Sequence, residues 1–187
     1  MLLHRLGLEF EIVPPHYEAD IRIDDPEKKA MYVALEKARS VAGLYVEGIV
    51  IGADTIVVVN GEILGKPKSR DEAMAHLRKL SGVWHRVITG LAIVDAGSGK
   101  EVVDSSVTEV KFRELSEEEI SRYVDSGEPY DKAGAYAIQG AASLFIEEIR
   151  GDFWNVVGLP LPLLYRCLKE HFGLCLLDMV RPEISLI

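Results

Sequence analysis

The segment IVIGADTIVVVNGEILGKP, residues 49–67, constrains the fold more than any other stretch of the chain. Its β-branched run, Ile49–Val59, reads as a strand. Asn60-Gly61 is the dipeptide that best accepts the two positive φ angles of a tight hairpin, so Glu62–Leu64 is expected to return beside the strand. The apolar run also contains one carboxylate, Asp54. A buried and unpaired carboxylate costs several kcal/mol, so this one must be hydrogen-bonded, metal-bound or reactive.

The elements around the hairpin follow from caps and periodicity. MLLHRLGLEFEIVPP reads as a short helical end stopped by Gly7 and followed by a strand over Glu9–Val13. In DDPEKKAMYVALEKARSVAG, Asp25 caps a helix, Pro26 suits its first turn and Gly43 ends it. The apolar stripe of that helix runs through Met31, Ala34, Leu35, Ala38 and Val41, which leaves Lys37 to one side. Ser69 with Glu72, and Ser116 with Glu119, stand at capping-box spacing before two further helices. Between these helices, Arg86–Asp95 and Glu101–Val110 form an antiparallel hairpin around AGSGK. A glycine-rich loop then leads to a strand over Ser143–Ile149, and a last helix spans Leu161–Phe172, stopped by Gly173. Interleaved helices and strands, with several antiparallel pairs, indicate an α/β domain with a mixed sheet. No repeat or linker divides the 187 residues, so one domain is expected, with 174–187 as a C-terminal tail.

Hydrophobic residues make up 48% of the chain and charged residues 27%, a globular balance. The net charge of −9 argues against nucleic acid or an anionic membrane surface as a partner. A phosphorylated small molecule stays compatible, provided that local cations or a metal ion overcome that field. Cys167 and Cys175 have neither metal spacing nor a disulfide framework, which suits a reducing, cytoplasmic setting. The apolar stretch from Val156 to Val180 is interrupted by Arg166, Lys169, Glu170 and prolines, so no membrane span is expected there, and no signal peptide is expected from the opening residues.

Several side chains could carry chemistry, each with an ordinary alternative. Asp54 could be a carboxylate satisfied by backbone N–H groups at a sheet end; that and a working role weigh about equally. An aspartyl phosphatase would need a second Asp two residues on, where Ile56 stands. Lys66 lies between Gly65 and Pro67, which aim its ammonium, although an isolated lysine is ordinarily a solvated turn residue. Lys37 is by itself a solvent-facing helix residue. Glu18 sits in an acidic segment that reads as an exposed loop, yet with Asp54 it would supply two hard oxygen ligands of the kind Mg²⁺ prefers. Gln139 is a loop amide that either satisfies its own backbone or reads a base edge. His85 reads as a structural histidine and Asp131-Lys132 as an exposed ion pair.

Taken together, LLHRLGLEFEIVPP, ALEKA, GADTIVVVNGEILGKP, LSGVWHRVITG and the long run from VKFRELSEEE to VVGLPL resemble the Maf family of nucleoside triphosphate pyrophosphatases over about Leu2 to Gly173. The resemblance implies a two-lobed α/β fold similar to that of the inosine triphosphate pyrophosphatases, and hydrolysis of a nucleoside triphosphate between its α- and β-phosphates. It implies that Asp54 accepts a proton from water, that Glu18 and Asp54 hold a divalent cation (Mg²⁺ or Mn²⁺), and that Lys37 and Lys66 neutralise the triphosphate. AIQG around Gln139, together with Thr55, resembles the subgroup acting on dTTP and UTP, with modified pyrimidine nucleotides as further substrates. The oligomeric state is left open, a homodimer among the options.

One family feature is expected upstream of this sequence: a Ser-x-Ser-Pro-Arg-Arg phosphate loop would fall just before Met1, so the start is expected to be truncated. That expectation leaves two functions in view, a dTTP/UTP pyrophosphatase and a non-catalytic, nucleotide-binding regulatory protein linked to septum formation.

Overall fold

The computed structural model describes residues 2–17 and 21–180. Helices α1 (Leu2–Arg5), α2 (Pro26–Ala42), α3 (Arg70–Leu80), α4 (Glu117–Asp125), α5 (Phe153–Val157), α6 (Leu161–Phe172) and α7 (Leu176–Met179) surround a five-stranded sheet. The strands are β1 (Ile49–Val59), β2 (Glu62–Leu64), β3 (Trp84–Asp95), β4 (Glu101–Phe112) and β5 (Ile146–Arg150), in the order β2-β1-β3-β4-β5. The class is α/β, as expected, but all four pairings among the described residues are antiparallel, where a mixed sheet was expected. Residues 9–13 do not form the expected strand and run without regular structure. Strand composition is a weak local preference that tertiary context overrides. The strand expected from Ser143 begins only at Ile146, because Ala141–Phe145 winds into a 3₁₀ turn first.

Local chemistry accounts for most boundaries. Asn60 and Gly61 have φ of 50° and 80°, as the β1–β2 turn requires. Asp25 caps α2 by accepting from the Glu27 and Lys28 N–H groups. Ser116 and Glu119 form the full reciprocal box at the start of α4. At α3 only half of the box forms: Ser69 accepts from the Glu72 N–H, while the Glu72 carboxylate turns to the Lys68 N–H.

The strands alternate their side chains between two faces. On one face, Val57, Val59, Val87, Val110 and Phe112 meet α3 and α4, and Leu91 and Ile93 meet α6. On the other face, Ile56, Ile88, Ala92 and Val94 meet α2. The buried stripe of α2 is Ala30, Ala34, Ala38 and Ala42, flanked by Val41, whereas Met31 and Leu35 of the expected stripe are only partly covered. These small residues let the helix lie directly on Gly52 and Gly90: a Cβ on Gly90 would stand 2.3 Å from the Ala30 carbonyl. Among the described residues, no helix is long and apolar enough to cross a membrane.

Candidate active site

The edge of β1 creates the site. β3 pairs with β1 from Ile49 to Val58, but β2 covers the opposite edge only from Val57 to Val59. Asp54 and Thr55 therefore lie where β1 has no ladder partner on its outer side among the described residues. Being consecutive, their side chains leave on opposite faces of the sheet. Asp54 points to the α2 side and Thr55 to the α5 side, yet both line one cavity of about 580 Å³ that opens at this edge.

On the α2 side, Lys37 Nζ donates to Asp54 Oδ1 at 2.6 Å, with the two side chains 31% and 20% exposed. The lysine is off the apolar stripe, as the sequence indicates, and its position beside α2's buried alanines brings it to the sheet edge. Asp54 Oδ2 makes no hydrogen bond among the described residues, which leaves one carboxylate oxygen available to a ligand or to water. The charge of Asp54 is thus matched by an ammonium, and among the described residues one of its two oxygens has no hydrogen-bond partner.

On the α5 side, Thr55 Oγ1 lies 2.8 Å from Thr89 Oγ1, its register partner across β1 and β3. Thr89, fully buried, donates to the Asn155 carbonyl at 3.1 Å. The Asn155 amide in turn donates to the Val87 carbonyl at 3.0 Å and to Thr108 Oγ1 at 2.9 Å, so α5 is bolted to β3 and β4.

The loop 131–140 closes the cavity. Gly134 donates to the Gly65 carbonyl at 3.1 Å, which ties this loop to the Lys66 turn. Gly134 and Ala135 have φ of 69° and 63°; the second is a strained value for a residue with a Cβ, and it is held because Ala135 is fully buried. Glu128 fastens the far end, accepting from Tyr123 Oη at 2.8 Å and from the Ala141 N–H at 3.0 Å. Lys66 and Gln139 are exposed on the cavity wall. Asp131 and Lys132 do form the expected ion pair, at 2.7 Å, and they also line the cavity. That pairing holds the Asp131 carboxyl below its ordinary range.

Of the six residues to which the family resemblance gives roles, five converge here: Lys37, Asp54, Thr55, Lys66 and Gln139. The sixth, Glu18, lies outside the described residues. His85 is structural, as read from the sequence. It is buried, its Nε2 lies 2.8 Å from Tyr136 Oη, and burial pushes its pKa down to about 4. Tyr136 lines the cavity and its phenol is pushed up by burial, so the pair stays neutral behind the loop. Sequence reasoning missed Thr89, Glu128, Tyr136 and Asn155. Only Thr89 had a signal, since aligning Thr55-Ile56 against Ile88-Thr89 on antiparallel strands would have paired the two threonines.

Comparison with known proteins decides the family. The sequence profile described as Maf-like protein matches residues 1–171. The chain belongs to the Maf family. Maf relatives similar to it include a protein of Alkaliphilus oremlandii (strain OhILAs), 51% identical over 178 residues, which cover 94% of this chain and 92% of that protein. Another, from Thermoanaerobacter sp. (strain X514), is 49% identical over 177 residues, covering 94% and 93%. A third, from Thermococcus onnurineus (strain NA1), is 48% identical over 172 residues, covering 92% of each. All three Maf proteins are named dTTP/UTP pyrophosphatase.

Proposed function

We propose that this chain hydrolyses dTTP and UTP to the nucleoside monophosphate and pyrophosphate. The observation that carries the reading is the division of one cavity into two chemistries. Lys37, Lys66 and the unspent oxygen of Asp54 suit a polyphosphate and an attacking water, while Thr55 and Gln139 suit a polar base edge. The names of the Maf relatives agree with it.

In this reading Asp54 Oδ2 takes a proton from water as the water oxygen attacks the α-phosphorus. The bond from that phosphorus to the bridging oxygen breaks, and its electron pair leaves on pyrophosphate. Lys37 and Lys66 stabilise the charge that grows there; such stabilisation by fixed cations is commonly the largest contribution to catalysis. Lys37 donates to Asp54, so it holds the carboxylate in place and has remaining protons to share with phosphate oxygens.

A divalent cation, Mg²⁺ or Mn²⁺, fits the donors present. No group of three His, Cys, Asp or Glu side chains converges among the described residues. Mg²⁺, however, is commonly held by one or two carboxylates plus substrate phosphates and water. Asp54, with Glu18 as the second oxygen ligand, would hold it, and when bound it would offset phosphate charge. The reaction is placed in the cytoplasm, with no nucleic-acid or membrane partner and a single domain over the chain; a homodimer is compatible with it.

Incubation with dTTP and Mg²⁺, followed by chromatography, tests the proposal. The expected products are dTMP and pyrophosphate in equal amounts. Release of dTDP and orthophosphate would contradict it, and tight dTTP binding without turnover would favour the regulatory alternative.

A further inference from the structure

Proton accounting in the buried chain from Asn155 to Thr55 constrains what the cavity can recognise. A threonine hydroxyl has one proton to donate and two lone pairs to accept with. The Asn155 carbonyl has no proton, so the 3.1 Å contact from Thr89 Oγ1 consumes Thr89's only one. The 2.8 Å contact between Thr89 and Thr55 is then a hydrogen bond only if Thr55 is the donor. That spends Thr55's proton as well. The direction of the chain is anchored from behind, because both N–H groups of the buried Asn155 amide are committed to Val87 and Thr108, which holds its backbone carbonyl in place.

From this we infer that Thr89 is a positioning residue for base choice: it withdraws the Thr55 proton, so that Thr55 Oγ1 meets a ligand as an acceptor only. The inference rests on the proposed pyrimidine triphosphate substrate and deepens it. Uracil and thymine carry an N3–H donor flanked by two carbonyls, whereas cytosine presents a bare, accepting N3. An acceptor-only oxygen at the cavity wall pairs with the first and faces the second lone pair to lone pair. Gln139 cannot make this distinction by itself, because its amide can rotate to present either group. Thr55 cannot rotate in the same way without abandoning Thr89. Thr89 and Asn155 are buried and Thr55 is half-buried, so a mismatched edge at Thr55 leaves partly desolvated polar atoms unpaired, the condition that favours its rejection.

The test is Thr89→Val beside Thr89→Ser, read by binding and by turnover. Affinities for α,β-imido dUTP and α,β-imido dCTP, which resist cleavage between those phosphates, are measured by calorimetry. The wild type is expected to prefer the uracil analogue. Thr89→Val has nearly the same shape but frees the Thr55 proton, and the uracil-to-cytosine preference should fall by about tenfold or more. Thr89→Ser keeps the hydroxyl and should keep the preference. In turnover, the valine variant should raise KM for UTP while kcat stays within about threefold, since Asp54 lies on the other face of β1. A valine variant that melts lower yet keeps the wild-type preference would overturn the inference, as would a serine variant that loses it. A wild type that prefers the uracil analogue without hydrolysing UTP would sink the pyrophosphatase reading and leave the role of Thr89 standing. A wild type that binds both analogues equally would overturn the inference, while release of pyrophosphate from UTP would leave the pyrophosphatase reading standing.

Discussion

Substitution of Gly90 by alanine tests whether the site depends on helix α2 lying directly on the sheet. The added Cβ would come 2.3 Å from both C and O of Ala30 and 2.4 Å from the Met31 nitrogen. Ordinary contact begins near 3.4 Å, so α2 must retreat by about an ångström. The obstacles are helix backbone, which cannot rotate away as a side-chain tip could. Overpacking of this kind costs roughly 1–3 kcal/mol, and a backbone clash belongs at the upper end. For a chain of this length, about 3 kcal/mol corresponds to a fall in melting temperature of roughly 6–12 °C. Lys37 lies seven residues farther along the same helix, about 10 Å. A retreat of about an ångström would stretch its 2.6 Å bond to Asp54 past hydrogen-bond range, unless the lysine stem extends. Turnover should therefore fall together with stability. Gly43→Ala is the control, because its Cβ would meet only the Arg39 carbonyl at 3.6 Å and its φ is −63°. That variant should melt within a few degrees of the wild type. Differential scanning calorimetry of the three proteins, with dTTP turnover, decides the matter. Gly90→Ala melting like Gly43→Ala, with full turnover, would refute the argument that close helix–sheet contact builds the site.

Two further perturbations follow from the same geometry. His85, whose folded pKa is about 4 against about 6.5 unfolded, binds a proton more readily in the unfolded chain. Its contribution is therefore complete above about pH 6.5 and is lost as pH falls toward 4, about 3 kcal/mol in all. His76 is shifted in the same direction by burial. Melting temperature should drop over that window while the His85 ring NMR signals stay those of a neutral imidazole at pH 5.5; a His85 midpoint near 6.5 would contradict the burial argument. Glu128→Gln removes the carboxylate that ties Tyr123 and the Ala141 N–H to the Gln139 loop. Weakening these charge-assisted bonds should raise KM for dTTP about three- to tenfold and speed hydrogen exchange at Ala141, with kcat little changed; unchanged exchange there would show that the loop is held by other contacts.

Local signals in the sequence were reliable where a single residue has one cheap answer. Ile49–Val59, the Asn60-Gly61 turn, Glu62–Leu64 and Leu161–Phe172 all lie where alternation, turn chemistry and capping put them. The reading failed where the answer depends on a distant partner. Residues 9–13 have strand composition but run without regular structure, and Glu72 chose the Lys68 N–H over the reciprocal half of its box. The alanine stripe of α2 was partly missed because hydrophobicity favours Met31 and Leu35, whereas the close approach to Gly52 and Gly90 selects small residues. In the site, Asp54, Lys66 and Lys37 were legible as charges in unusual settings. Thr89, Asn155 and Glu128 were not, since each acts through a contact more than ten residues away in sequence that only the register and the loop path create.

The central claim is that Asp54 activates water at one end of a nucleotide cavity, and Asp54→Asn tests it most directly. Asparagine keeps the shape and can still face Lys37, but its amide cannot take a proton from water. Steady-state release of pyrophosphate from dTTP with Mg²⁺ present should fall by roughly 10²–10⁴-fold, the usual loss when a positioned base is removed. The melting temperature should change by only a few degrees, and dTTP binding should largely survive. Turnover at the wild-type rate would show that Asp54 is only the partner of Lys37, and that water is activated elsewhere.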